Sequence, residues 1–232
     1  MSRFYLVRHA QTCWNRENRL QGHTDQPLSL LGVQQARRVA EFFSSIPLQG
    51  VVASGLQRTQ QTAEIIVANQ PSGPRLAIEC DLNEIHLGVW EGLTPEEIDA
   101  RFDQAYQRWR VTPSSVIIPA AEHLVAFRAR VRQAFARLVS TVDEGTYAIV
   151  THGGVIATLL ADSLQADYDT ILRRLRVDNA GITALEMSAA ISSVLWINWT
   201  AHLEGLTPWL PAAPPGRNVL TASVADAGTC AA

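Results

Sequence analysis

Arg8 and His9 close a short apolar run, Phe4 to Val7, near the start of the chain. A guanidinium there calls for an anion, and its planar fork suits a phosphate. The imidazole beside it has three roles open to it: nucleophile, base or ligand. A second histidine, His152, ends another apolar run, Thr146 to Val150, one residue further on. Gly153 and Gly154 follow at once; they allow close backbone approach and offer N–H donors where a helix begins. A third run, Val51 to Ala53, leads through Ser54-Gly55 into a helix-like stretch with Arg58 near its start. Arg8 and Arg58 are placed to clamp a phosphate dianion, with His9 and His152 beside it.

Such a cluster needs strands that deliver their ends to one edge of a sheet, where open α/β folds hold ligands. Ser29 is a plausible N-cap for a helix whose apolar positions are Val33, Ala36, Ala40 and Phe43. Cys13 to Pro27 is polar and reads as a functional loop. Leu76 to Ile78, Gly181 to Met187 and Val194 to Trp199 read as further strands. Pro95 opens a helix over Glu96 to Arg110, and Leu124 to Leu138 is a long amphipathic helix. The alternation predicts a three-layer α/β/α sandwich around a mostly parallel sheet, over residues 1–204. Residues 205–232 are rich in Pro and Ala and lose all periodicity, so they read as a loosely packed or disordered tail.

The chain has 232 residues and a formal net charge of −3, with 47% hydrophobic and 18% charged residues. That charge argues against a nucleic-acid or anionic-membrane partner, while a single anion pocket needs only a few local cations. Three scattered cysteines, Cys13, Cys80 and Cys230, argue against a disulfide framework or a cysteine zinc site. No histidine pair has zinc spacing, so no metal is expected. No secretory signal and no membrane-length apolar run are read in the sequence, and a cytoplasmic protein is the expectation.

Four stretches in this order, LVRHAQTCWNRENRLQGHTDQPLSLLGVQQA, SGLQRTQQTAEII, NEIHLGVWEGL and VTHGGVI, resemble the histidine phosphatase superfamily, on its phosphoglycerate mutase-like side. The resemblance spans Phe4 to Met187 and implies a phosphoglycerate mutase-like fold. It implies His9 as a nucleophile that becomes phosphohistidine, with Arg8, Arg58, His152 and Gly153 in the phosphate pocket. Asn15, Gln21 and Gly22 match a loop that adds contacts, and Glu84 matches the acid that protonates the leaving oxygen. The family needs no metal or other cofactor, takes phosphate esters, and is compatible with a homodimer.

The residue types agree with that chemistry. A neutral imidazole can attack phosphorus directly, and phosphoryl transfer needs mostly positioning and charge stabilisation. Glu84 can give a proton only when protonated, a state that an adjacent dianion favours. Two departures stand out: Ala10 replaces the usual glycine after the nucleophile, and Pro119-Ala120-Ala121-Glu122-His123 replaces a glycine-rich stretch. The region between Glu84 and His152 is compact, which favours hydrolysis over mutase chemistry, because a mutase must exclude water from its intermediate. A mutase-type phosphotransferase and a non-catalytic phosphate-binding module are the alternatives.

Overall fold

The computed structural model describes residues 1–187 and 192–206. In chain order its elements are β1 (Ser2–Arg8), α1 (Cys13–Arg16), α2 (Leu30–Phe43), β2 (Gly50–Ala53), α3 (Gln57–Ala68) and β3 (Arg75–Ile78). Then come α4 (Pro95–Arg101), α5 (Ala105–Val111), α6 (Leu124–Thr141), β4 (Thr146–Thr151), α7 (Gly153–Ser163), α8 (Tyr168–Arg174), β5 (Ile182–Met187) and β6 (Ser192–Trp199).

One six-stranded sheet runs in the order β3-β2-β4-β1-β5-β6. Strands β1 to β4 are mutually parallel; on the β1 side β5 pairs antiparallel with β1, and β6 pairs antiparallel with β5. Alternation along β1 sorts its side chains between two apolar cores. Phe4 and Leu6 join Phe127 and Val131 of α6 and Ile156 and Leu160 of α7. Tyr5 and Val7 join Val39 and Phe43 of α2 and Ile66 of α3 on the opposite face. The expected layered α/β architecture is present, with five strands running one way and β5 alone against them.

A third apolar cluster stands apart from both. Leu87, Trp90, Ile98 and Ala105 are buried in it, and Tyr106 and Trp109 pack against it. Thr94 caps α4 in a reciprocal capping box with Glu97. The single helix expected over Glu96 to Arg110 is instead two, because Asp103 and Gln104 both adopt positive φ, at 49° and 56°. Left-handed residues end the ladder of one helix and turn the chain into the next. The short helix α8 was not expected from the sequence. The polar segment expected as a loop after Cys13 contains one helical turn, α1, capped by Thr12. Residues 207–232 of the expected tail, with Trp209 and Cys230, lie outside the described residues. Among the described residues no helix is long and apolar enough to cross a membrane.

Candidate active site

β1 and β4 are adjacent, with Arg8 in register with Thr151, so the residues that follow them emerge side by side. The His9 and His152 rings lie 5.3 Å apart, centroid to centroid, and both are buried. The Nδ1 of His9 lies 2.8 Å from the Ala10 carbonyl oxygen. A carbonyl only accepts, so Nδ1 donates, and a neutral ring then keeps its lone pair on Nε2. Burial holds the His9 imidazole well below its ordinary value, and the charges of Arg58 and Arg8 push it the same way. Burial does the same to His152, helped by Arg58, His9 and Arg8.

Arg58, on the first turn of α3, is almost fully enclosed. Its Nη2 donates to the Gly22 carbonyl at 2.7 Å and its Nη1 to the Thr24 carbonyl at 3.1 Å. Burial lowers its pKa to about 10, against the opposing pull of Glu84 and Asp25, so the group stays cationic near neutrality. Arg8 donates from Nη1 to the Val177 carbonyl at 2.6 Å, and burial lowers its pKa as well, with Glu84 opposing. The Nε atoms of Arg8 and Arg58 and the Nδ1 of His152 are buried without a partner among the described residues. Leaving such groups unpaired costs free energy that an oxyanion among them would recover.

Arg8, His9, Asn15, Gln21, Gly22, Arg58, Glu84 and Gly154 all line one cavity of about 260 Å³. His152 sits behind it, its Nε2 2.7 Å from the Ser54 hydroxyl. Gly153 stands beside Arg8; a Cβ there would come 3.8 Å from Arg8 Nε. Glu84 accepts the Ile85 N–H at 2.9 Å and the Gly154 N–H at 3.1 Å. At Gly154 a Cβ would fall 2.4 Å from Glu84 Oε1, so glycine is required for that approach. Asn15 accepts from Thr12 and Asn179, and Gln21 accepts the Thr12 hydroxyl, which ties the loop together. Among the described residues no group of three or more His, Cys, Asp or Glu is arranged to hold a metal.

Several residues that sequence reasoning passed over support this cluster. His23 has its Nε2 2.7 Å from the Glu84 carbonyl. Arg130 donates to the carbonyls of Asp81, Asn83 and Glu84 and is held bidentately by Glu122. Asn179 donates to the His9 carbonyl at 3.0 Å. Glu91 is a hub. Its Oε1 accepts the N–H groups of His23 and Leu87, and its Oε2 accepts the N–H and hydroxyl of Thr24. Burial pulls the Glu91 carboxyl upward, but the bonds from Thr24, His23 and Leu87 outweigh it and hold it below the usual range. Gly22, at φ +53°, presses against this hub: a Cβ there would meet Glu91 Oε1 at 2.1 Å. The only signal for Glu91 in the sequence was its place in the stretch EIHLGVWEG. His123 lines a smaller apolar cavity next door instead, with its Nδ1 accepting the Val125 N–H at 3.3 Å as the cap of α6. Trp14 packs over Gly92, where a Cβ would lie 3.1 Å from its ring.

The chain belongs to the histidine phosphatase superfamily (branch 1), whose family model matches residues 4–200. It is 32% identical over 209 residues to the protein named "Probable phosphoglycerate mutase GpmB" from Enterobacter sp. (strain 638), covering 88% of this chain and 93% of that one. Bacillus stearothermophilus YhfR superposes with a TM-score of 0.82 at 29% identity, covering 88% of this chain and all of that one. A mycobacterial glucosyl-3-phosphoglycerate phosphatase, solved with VO3, superposes with a TM-score of 0.78 at 30% identity, covering 86% of this chain and 100% of that one.

Proposed function

We propose that this chain is a metal-independent phosphatase that hydrolyses a phosphomonoester through a phosphohistidine on His9. The observation that carries the reading is the His9 ring, committed through Nδ1 to Ala10 and lining a cavity that Arg8 and Arg58 also line. Nε2 attacks phosphorus, and the ester P–O bond breaks. The equatorial oxygens are held by Arg8, Arg58 and His152, with the Gln21-Gly22 loop, Asn15 and Gly153 beside them. The departing alkoxide takes a proton from the Glu84 carboxyl. Glu84, now a carboxylate, takes a proton from a water that attacks the phosphohistidine; the P–N bond breaks and phosphate leaves.

The proton site on His152 fits this sequence of events. Thr59 gives its hydroxyl hydrogen to the carbonyls of Leu56 and Ser54. The Ser54 hydrogen is then free for either Thr59 Oγ1 or His152 Nε2, its two neighbours. When it goes to His152, the neutral ring carries its own proton on Nδ1, as a donor to the transferring group.

The similarity to a protein named a phosphoglycerate mutase supports a second reading, phosphoryl transfer between esters. The compact stretch between Glu84 and His152 and the VO3-bound phosphatase neighbour favour hydrolysis. Release of phosphate from p-nitrophenyl phosphate by EDTA-treated protein tests this directly. A loss of roughly a thousandfold or more in His9→Ala is expected, with label on His9 in the parent after an alkaline quench, in which the P–N bond survives. Label elsewhere or nowhere defeats the mechanism. A bisphosphoglycerate requirement, with transfer outrunning release, establishes the mutase instead, and no turnover on any ester leaves a binding module.

A further inference from the structure

The cavity has two unlike ends. Arg8, Arg58 and His9 line one part of it, Ile85, Leu87, Tyr106, Trp109, Tyr168 and Leu172 give it a largely apolar wall, and Asn18, Arg19 and Leu20 complete the rim. Tyr106 and Trp109 stack with centroids 5.7 Å apart, which stiffens that wall. The same wall continues into the smaller cavity of about 100 Å³, closed by Val116, Ile117, Ile118 and Ala121. Ile117 is 86% exposed there, an apolar surface that a ligand body would cover.

Among the described residues, the one further cation on this cavity is Arg19, and its charge is already spent. Its Nη1 donates to the Gly92 carbonyl at 2.6 Å and to Glu97 at 3.1 Å, and its Nε donates to Glu17 at 3.1 Å. Two carboxylates against one guanidinium leave that rim with no net attraction for a second anion. A carboxylate on the ester's alcohol part would be desolvated against aromatic and aliphatic side chains without a partner.

We infer that the substrate is a phosphomonoester of an apolar, aromatic or similarly flat alcohol that carries no second anionic group. The inference deepens the phosphatase reading and rests on it for the reaction, but it is measured by binding alone. Two non-hydrolysable probes separate the cases on the whole protein: 1-naphthylmethylphosphonate and 3-phosphonopropionate, which bears a carboxylate. By calorimetry the naphthyl probe is expected to bind at least about tenfold more tightly. Trp109→Ala is expected to weaken it by about tenfold while inorganic phosphate changes by less than about twofold. Leu172→Arg adds a cation to the wall and is expected to strengthen 3-phosphonopropionate and weaken the naphthyl probe; general damage to the fold weakens both. Equal or tighter binding of the carboxylate probe to the parent overturns the inference, as does failure of both probes to bind. Preferential naphthyl binding without turnover of any aryl ester upholds the assigned ligand class and removes the phosphatase reading.

Discussion

The Ser54 hydroxyl and the His152 Nε2 lie 2.7 Å apart, both fully buried behind the cation pocket. His152 Nε2 depends on Ser54 for its hydrogen bond, whereas Ser54 also has Thr59 Oγ1 at 2.8 Å. Ser54→Ala is expected to lower kcat by about tenfold to a hundredfold, with KM nearly unchanged, because phosphate still meets both arginines. Stability is expected to fall by about 1–3 kcal/mol from the orphaned nitrogen. The 15N shifts of His152 provide the readout that a merely structural defect would not move: the tautomer balance should change. An unaltered His152 spectrum in the variant removes Ser54 from this role.

Glu91 reaches Arg58 through the backbone. It holds the N–H groups of His23 and Thr24, while the carbonyls of Gly22 and Thr24 hold the Arg58 guanidinium. Glu91→Gln turns an acceptor into a donor that faces donors. The expected outcome is a loss of about 2 kcal/mol of stability and weaker inorganic phosphate binding, by about tenfold. Calorimetric titration with phosphate checks it; unchanged affinity in a destabilised variant separates Glu91 from the pocket.

The two buried histidines make stability fall with acid. Burial and the flanking arginines keep both rings neutral in the folded state, well below their ordinary values. The unfolded chain protonates them at about pH 6.5. Below that pH the unfolded state takes up protons that the folded state refuses, so stability drops as pH falls from 7 towards the folded values. Each histidine contributes at most about 1.4 kcal/mol per pH unit over that window. Urea unfolding at pH 7 and pH 5.5 is expected to show the drop, and saturating phosphate is expected to reduce it, since a dianion favours the charged rings. A flat profile over this interval contradicts the neutral assignment.

Ala120 sits at φ +57°, in the left-handed region, at a place where glycine carries no strain. The loop cannot easily relax, because the Pro119 carbonyl accepts the Val89 N–H and the Glu122 N–H bonds to the His86 carbonyl. Gly88 lies directly beneath: a Cβ there would be 2.2 Å from the Pro119 oxygen. Ala120→Gly is therefore expected to stabilise the protein by up to about 1 kcal/mol, partly offset by a freer unfolded chain. Denaturant midpoints measure it. A clear destabilisation shows that the alanine methyl contributes packing that outweighs the strain.

The parts of this molecule most legible in the sequence are those where one run of chain carries both the burial signal and the chemistry. Phe4 to His9 and Thr146 to His152 announce a buried strand and its polar end together, so the paired histidines and the neighbouring arginines were foreseen. The break at Asp103-Gln104 was not, since neither residue demands a positive φ. The supporting shell was harder still. Ser54, His23, Asn179, Glu91 and Arg130 act across 46 to 170 residues of sequence, through their bonds to His152, Glu84, His9, Thr24 and the 81–84 loop. Only the folded backbone brings those partners within reach, and no local periodicity encodes them.

Trp90 and its neighbours form a cluster of their own, apart from the two that sandwich the sheet. The roof of the pocket and its floor of histidines and arginines therefore answer to different constraints. Replacements among Tyr106, Trp109 and their surroundings can retailor which alcohol is accommodated, while the floor of histidines and arginines keeps its alignment. Selection is free to exchange clientele without relearning the reaction.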